Sequence, residues 1–349
     1  MPSDRTAVVI PAYNASRWIG ETLDSLLAQT ANGWTCVVVD DGSTDGTADL
    51  VRSRTVGDDR FTVVSQANAG VSAARNTGLR HVPSDSATVA FVDSDDLWLP
   101  SALASLRAAL ERRPDAAGVT GLARHVDETG HPIDLGAQEA RLRGRPCVRR
   151  GLIGLLPPER DTDFASLAIS GRIWPPAVGL FRLRDVAAVG DFDTSLWIGE
   201  DWDFYLRLAR RGPLAFLDEV VADYRQHAES ATADSWDLMI TDLDRVRRKA
   251  WEEPTNTPEQ RAAVRRGWEV VELAALLSSG RQTLWALQHR DWSLAGNSAA
   301  SARAFTRSLA GRVPPLPDPS RAGVRRPMVV AVRRAVLRAQ AASRSPVGP

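Results

Sequence analysis

The sequence predicts an α/β fold: a mostly parallel, Rossmann-like sheet flanked by helices, followed by a smaller α-helical C-terminal region. Short unbroken apolar runs alternate with stretches of helical periodicity over the first hundred residues, as in βαβ units. Polar, carboxylate-rich segments follow these apolar runs, and beyond about residue 235 only helical periodicity continues.

The elements follow in order. Residues 7–10 (AVVI) form a continuous apolar run, the pattern of a strand buried on both faces. Ser16 is placed to cap a helix in which Trp18, Ile19, Leu23, Leu26 and Leu27 recur at helical spacing. Residues 36–39 are the second strand, and Ser43-Thr44-Asp45 opens a second helix. A third strand over 61–64, a helix over 69–79 and a fourth strand over 89–92 complete the alternation. Residues 112–172 carry glycines and prolines and no regular period. A helix is expected from near Asp201, through Phe204, Leu206 and Leu208, and a further strand at Ala222-Asp223-Tyr224. Val264, Trp268, Val271 and Ala275, then Leu294, Ala302, Phe305 and Leu309, have helical spacing. Pro314, Pro315, Pro317 and Pro319 mark a linker. The expected division is residues 1–232, a helical domain over 233–312, and a proline-rich linker with a basic tail over 313–349.

Composition excludes several classes. Hydrophobic residues at 44% and charged residues at 25% are those of an ordinary globular protein. Two cysteines, Cys36 and Cys147, rule out a disulfide framework, and Cys36 is expected as a buried thiol. No apolar run approaches the roughly 18 residues of a membrane span, and the first residues lack a signal-peptide pattern, so a cytoplasmic location is expected. Basic and acidic residues balance at 43 each, but eight arginines and one acid, Asp318, lie from Arg312 onward. The remainder is acidic, which argues against nucleic acid as a partner. In the tail, Val329, Val332 and Val336 recur at helical spacing beside Arg333, Arg334 and Arg338. Such a basic amphipathic helix is a candidate for peripheral contact with an anionic membrane face.

The chemistry gathers where the predicted strands end, since ligands of parallel sheets bind outside the carboxyl ends of the strands. Pro11-Ala12-Tyr13-Asn14 follows the first strand, Asp40-Asp41-Gly42-Ser43-Thr44-Asp45 the second and Asp93-Ser94-Asp95-Asp96 the fourth. Helix capping accounts for Asp45 and for one of Asp40 and Asp41. So many carboxylates in one crevice need a cation or hydrogen-bond donors. An Asp-x-Asp pair supplies hard oxygen ligands suited to Mg²⁺ or Mn²⁺.

These segments, with Asn68-Ala69-Gly70, Ala74-Arg75-Asn76, Trp197-Ile198-Gly199-Glu200-Asp201-Trp202 and Tyr224-Arg225-Gln226-His227, occur in the order typical of family 2 glycosyltransferases. The resemblance covers residues 5–230. It implies a GT-A fold, a nucleotide diphosphate sugar as donor (UDP foremost), and an inverting, metal-dependent transfer. The acceptor it implies is a hydroxyl of a saccharide or lipid-linked molecule, in polysaccharide, glycolipid or glycoconjugate synthesis. Carried over by residue, Asp41 accepts from the nucleobase in a pocket lined by Pro11 and Tyr13. Arg75 and Asn76 sit near the nucleotide, Asp93 meets the ribose, and Asp95 with His227 holds Mn²⁺ or Mg²⁺. Asp201 is the catalytic base, with Glu200 next to it; Trp197 and Trp202 either pack or stack on an acceptor sugar. The chemistry agrees with these roles: the departing diphosphate gathers negative charge that a cation stabilises. The attacking hydroxyl loses its proton to a carboxylate, and one base with no nucleophile gives inversion. Two other readings are a nucleotidyltransferase that makes the nucleotide sugar and a non-catalytic binding or assembly module. The absence of glycine from Pro11 to Ser16 argues against the first, and the joint presence of Asp95 and Asp201 against the second.

Overall fold

The computed structural model describes residues 5–134, 145–149, 152–169, 173–227 and 236–269. The helical spacing expected beyond residue 269, the proline-rich linker and the basic tail helix lie outside the described residues. The chain divides into two units, Met1–Cys147 with Gly154–Glu253, and Val148–Ile153 with Pro254–Pro349. Every element that positions the site belongs to the first; in the second, a helix over 258–269 buries Val264 and Trp268.

In chain order the first unit contains β1 (Thr6–Ala12), α1 (Ile19–Leu27), β2 (Trp34–Asp40), α2 (Thr47–Thr55), β3 (Phe61–Ser65), α3 (Val71–Arg80) and β4 (Thr88–Phe91). It continues with β5 (Leu97–Trp98), α4 (Ala102–Glu111) and β6 (Gly118–Val126). A ribbon of β7 (Pro146–Arg149) and β8 (Leu152–Leu155), whose middle, Val148–Ile153, belongs to the second unit, follows, then α5 (Phe164–Ile169) and a 3₁₀ turn at Pro176–Val178. β9 (Gly179–Arg182), α6 (Leu183–Val189), α7 (Glu200–Leu208), β10 (Leu214–Arg225) and α8 (Trp236–Glu252) complete it. Eight strands form one sheet in the order β3-β2-β1-β4-β9-β6-β10-β5. β9 runs antiparallel to β4 and β6, and β5 to β10; all other neighbours are parallel. β1, β2, β3, β4, β6 and β10 therefore point the same way and present their carboxyl ends along one edge.

The strands read from apolar runs are where the core is driest. All of β1 is buried, as is β2 apart from Thr35, because helices cover both faces of the sheet. Cys36 lies in this layer, and burial pushes its thiol well above the ordinary range. Ser16 does not cap α1. Its backbone N–H donates to Asp45 Oδ2 at 2.9 Å, and the helix begins at Ile19 after a turn closed by Trp18 and Ile19 N–H on Ala15 O.

The segment without a visible period hides a central strand. β6 carries glycines because its neighbours leave no room: a Cβ on Gly118 would meet the Phe181 ring at 2.5 Å, and one on Gly121 would meet Val221 at 2.8 Å. Glycines in a strand where other chains approach closely erase the two-residue alternation that would reveal it. Farther along, Phe91, Phe181, Phe192, Phe204 and Tyr205 form an aromatic cluster. Phe192 stacks on Phe204 at 4.2 Å, and Phe91 meets Phe192 edge-on at 4.9 Å. Each buried ring contributes about 1.5–3 kcal/mol, and together they seat α7 on the end of β4.

α3 packs on β1 and β2 through Ala74, which sits against Val37 and Val39, and through Gly78. A Cβ on Gly78 would lie 2.3 Å from Val9 Cγ1. Helix propensity alone would favour alanine there by about 1 kcal/mol, but overpacking a stiff valine costs about 1–3 kcal/mol. Gly78→Ala is expected to be destabilising, with a lower urea midpoint at unchanged slope.

Candidate active site

The site lies along the shared carboxyl edge. The loops after β1 and β2 are sewn together: Asn14 N–H donates to Ser43 Oγ at 3.0 Å, Thr44 N–H to Asn14 Oδ1 at 2.9 Å, and Ala15 N–H to Thr47 Oγ1 at 2.8 Å. Asn14 takes a left-handed backbone with φ of 49° to make this turn, a conformation asparagine tolerates better than most residues. Asp45 gathers hydrogen bonds from Ser16 N–H and from the amide and hydroxyl of Thr47. Burial opposes its charge, yet these donors hold the carboxyl down at about 2. Pro11 is buried in β1 while Tyr13 stands exposed beside it.

Asp41 is buried and accepts from Gln66 Nε2 at 2.7 Å and from the Ala69 and Gly70 amides at 2.9 Å each. It fixes the loop that leads into α3. Gln66 is held in turn by the Thr77 hydroxyl. Asn76 exchanges two hydrogen bonds with the backbone of Phe192, at 2.8 and 2.9 Å, tying α3 to the segment before α7.

Arg75, only 2% exposed, bridges the two halves of the site. It donates to Asp93 Oδ1 and to Glu200 Oε1, both at 2.7 Å. Burial disfavours its charge, but Asp93 and Glu200 outweigh that and raise its pKa above the ordinary arginine value. Burial pushes the Asp93 carboxyl up, and Arg75 restrains that rise. Asp201 follows Glu200 in the first turn of α7, half-buried, with Oδ1 accepting from Trp202 N–H at 2.6 Å. Burial first, and then Glu200, push its carboxyl up to about 7. Trp202 is core, donating its indole N–H to Leu167 O at 2.7 Å, whereas Trp197 is 64% exposed.

Asp95 Oδ2 lies 3.0 Å from His227 Nε2. The imidazole stacks, tilted, on Trp18 at 5.1 Å, and its buried Nδ1 has no hydrogen-bond partner. Among the described residues no group of three or more His, Cys, Asp or Glu side chains converges as a metal site. Asp95 and His227 therefore offer one oxygen and one nitrogen donor. That set fits a divalent ion completing its coordination with water and phosphate oxygens, the habit of Mg²⁺ and its relatives.

Sequence reasoning missed several residues that build this geometry. Arg225, buried in β10, donates from Nε to Asp95 O at 3.1 Å, from Nη1 to Glu128 O at 2.8 Å and from Nη2 to Glu21 Oε2, while its guanidinium lies 4.7 Å from the centre of the Trp18 ring. Asp96 is fully buried, accepts from Arg225 N–H at 3.3 Å, and is raised well above the carboxylate range by burial and by Asp95. On α8, Asp242 accepts from the Trp197 and Ile198 amides at 3.0 and 3.2 Å, and Arg245 donates to Ser195 O at 2.9 Å. Lys249 pairs with Asp193 at 2.8 Å and with Asp203 at 3.0 Å. Arg225 and its neighbours at least stood in a recognisable block; the α8 residues carried no signal.

Residues 7–146 match the family described as Glycosyl transferase family 2. TuaG of Bacillus subtilis, named as a glycosyltransferase of teichuronic acid biosynthesis, is 30% identical over 234 residues, 66% of this chain and 82% of TuaG. The chain belongs to glycosyltransferase family 2. It also matches GlyA of Streptococcus pneumoniae at 42% identity over 96 residues, 28% of this chain, and spans 13% of that longer protein. Residues 1–349 of S. aureus TarS in complex with UDP superpose with a TM-score of 0.56 at 15% identity, covering 87% of this chain and 92% of that one. The mannosyltransferase PcManGT of Pyrobaculum calidifontis, solved with GDP-Man and Mn²⁺, gives 0.53 at 21% identity over 86% of each chain. The fold is GT-A.

Removing the central cation leaves two carboxylates facing each other. Arg75→Met is expected to cost about 3–5 kcal/mol in urea unfolding, the usual loss when one partner of a buried pair is removed. It should also raise the Asp201 carboxyl further, because Arg75 is what opposes the push from burial and Glu200.

Proposed function

We propose that the chain transfers a sugar from a nucleotide diphosphate sugar, UDP foremost, to a hydroxyl of a polysaccharide or glycolipid acceptor, with inversion at the anomeric carbon. The observation that carries this reading is the Arg75 bridge, which sets a carboxylate at the end of β4 and a second carboxylate at the start of α7 on either side of one cation. TarS solved with UDP and UDP-GlcNAc, PcManGT with GDP-Man and Mn²⁺, and the biosynthetic name of TuaG support it.

The nucleotide lies across the ends of β1, β2 and β4. Pro11, Tyr13 and the loop held by Asp41 line the base, Arg75 and Asn76 frame the pocket, and Asp93 receives the ribose. Asp95 and His227 would hold the divalent metal, which when bound neutralises charge on the departing diphosphate. Asp201 removes the proton from the attacking acceptor hydroxyl. A carboxylate with its pKa near the working pH combines adequate basicity with a large ionised fraction. Because it stands in the first turn of α7, the helix dipole stabilises its ionised form. One base and no second carboxylate acting as nucleophile yields a single in-line displacement. On this reading the first unit is the catalytic domain and the remainder of the chain serves the acceptor or the membrane.

Four measurements test it. A panel of nucleotide sugars is screened for nucleoside diphosphate release with and without EDTA; release should stop in EDTA and return with Mn²⁺ or Mg²⁺, and full activity of metal-stripped protein would remove Asp95 and His227 from the metal. Asp201→Asn should lower turnover by about 10²–10⁴-fold while donor affinity changes little. In the parent protein turnover should rise with pH to a plateau above about 7, since the raised carboxyl must lose its proton to act. The same shift makes the folded state bind the extra proton between about 4 and 7, so stability falls as pH rises through that window. Asp201→Asn should abolish that fall.

A further inference from the structure

A second group of side chains on the same edge of the sheet has no part in the chemistry above. His125 and Tyr224 are register partners at the carboxyl ends of β6 and β10. Their rings meet edge-on at 5.3 Å, and Trp174 closes on Tyr224 at 4.2 Å and on His125 at 5.4 Å. The aromatic rings of the core are buried, but Trp174 keeps 39% of its surface exposed. Its position is nonetheless fixed. The 3₁₀ turn that follows it is anchored from behind by the Trp98 indole N–H on Ala177 O at 2.6 Å.

The polar atoms around these rings are arranged as donors. The Gln226 side-chain amide reaches His125 Nδ1 at 2.6 Å. Burial holds His125 below its ordinary value and so favours the neutral ring. With Nδ1 accepting from the amide, the ring hydrogen is on Nε2 and available to a ligand. An exposed indole face, a phenol ring beneath it, and an exposed glutamine beside an imidazole N–H form an amphipathic surface. Pyranose rings have the matching chemistry, with C–H groups on the ring faces and hydroxyls at the rim.

Topology assigns this surface to one of the two substrates. β6 and β10 run parallel to β4, with only β9 between β4 and β6, so the cluster and Asp93–Asp95 share one edge. His227, three residues beyond Tyr224, is bonded to Asp95. The ends of β1, β2 and β4 are taken by the donor nucleotide, which leaves the ends of β6 and β10 to the second substrate. We infer that Trp174, Tyr224, His125 and Gln226 form the acceptor subsite, a platform on which a pyranose ring of an oligosaccharide acceptor stacks. The inference rests on the glycosyl-transfer reading, and specificity for the acceptor is set here rather than at the base.

The test uses the labelled full-length chain on an array of oligosaccharides built from β-linked glucose, N-acetylglucosamine and uronic acid. The parent protein should bind a subset of spots. Trp174→Ala should lower the signal about tenfold, the loss of one stacking contact of about 1.4 kcal/mol, whereas Trp174→Phe should retain most of it. Gln226→Ala changes an exposed side chain that the fold does not need, and a severalfold loss there shows that the site, not the folding of the protein, is affected. No binding by the parent protein, or equal binding by Trp174→Ala, would overturn the platform. Nucleoside diphosphate release by the parent protein is measured alongside. Release without glycan capture sinks the platform alone; Trp174-dependent capture without release sinks the transfer reading and leaves a saccharide-binding surface.

Discussion

The guanidinium of Arg75 is the contact on which the arrangement of the site depends. It is buried on α3, and it holds Asp93 from β4 with one arm and Glu200 from α7 with the other. A cation with so little access to water is stable only if it is paired, so the three elements cannot separate without exposing or orphaning a charge. The requirement reaches back to the sheet. α3 must lie flat on β1 for Arg75 to reach Asp93, and Gly78 allows that by letting the helix backbone approach Val9. The requirement reaches forward too, because Phe91, Phe192 and Phe204 seat α7 where Glu200 can meet the other arm. Hydrophobic packing brings the elements together non-directionally; the ion pairs select one register from those that packing permits.

A second clamp works from outside the region of family resemblance. α8 presents Asp242, Arg245 and Lys249 at offsets of three and seven residues, a single helical stripe. Asp242 takes two consecutive backbone amides, Arg245 a carbonyl, and Lys249 two carboxylates, one before α7 and one within it. Before α7, Asp193 takes the Ser195 and Leu196 amides, while those of Trp197 and Ile198 need partners from elsewhere. α8 supplies them and thereby sets the direction in which α7 starts and where Asp201 stands. Lys249 is the only lysine of the chain, and it has two partners at this point.

The sheet was largely legible, and for a physical reason. β1, β2 and β4 are buried on both faces, so burial and apolar character coincide along an unbroken run. β6 was not legible, because the close approach of Phe181 and Val221 demands glycine where an apolar residue would have marked the strand. The same contrast holds in the site. Asp93 and Asp95 stand out as a pair, while Asp201 stands out only through the family resemblance, since a carboxylate at a helix start is equally an N-cap. The pairing of Arg75 with both Asp93 and Glu200 was not visible, since those residues are far apart in sequence and only the fold makes them neighbours. Asp41 shows the limit of reading by motif: the residue was noticed, but three hydrogen bonds to the Gln66–Gly70 loop could be found only in three dimensions.

The charge balance along this edge bears on the metal independently of any motif. Asp93, Asp95, Asp96, Glu200 and Asp201 meet two buried arginines, Arg75 and Arg225, and Arg225 reaches Asp95 only through its carbonyl. The protein answers the excess by raising carboxyls: Asp96 well above its range, Asp93 upward, and Asp201 to about 7. A diphosphate brought to such an edge would meet further negative charge, and neither Arg75 nor Arg225 is exposed enough to receive it. On the proposed reading, a diphosphate at this edge would need an accompanying cation to offset that charge. Asp95 and His227 would hold that cation, which would supply the compensating charge. On that reading, the acidity of the crevice ties donor binding to the cation that accompanies it.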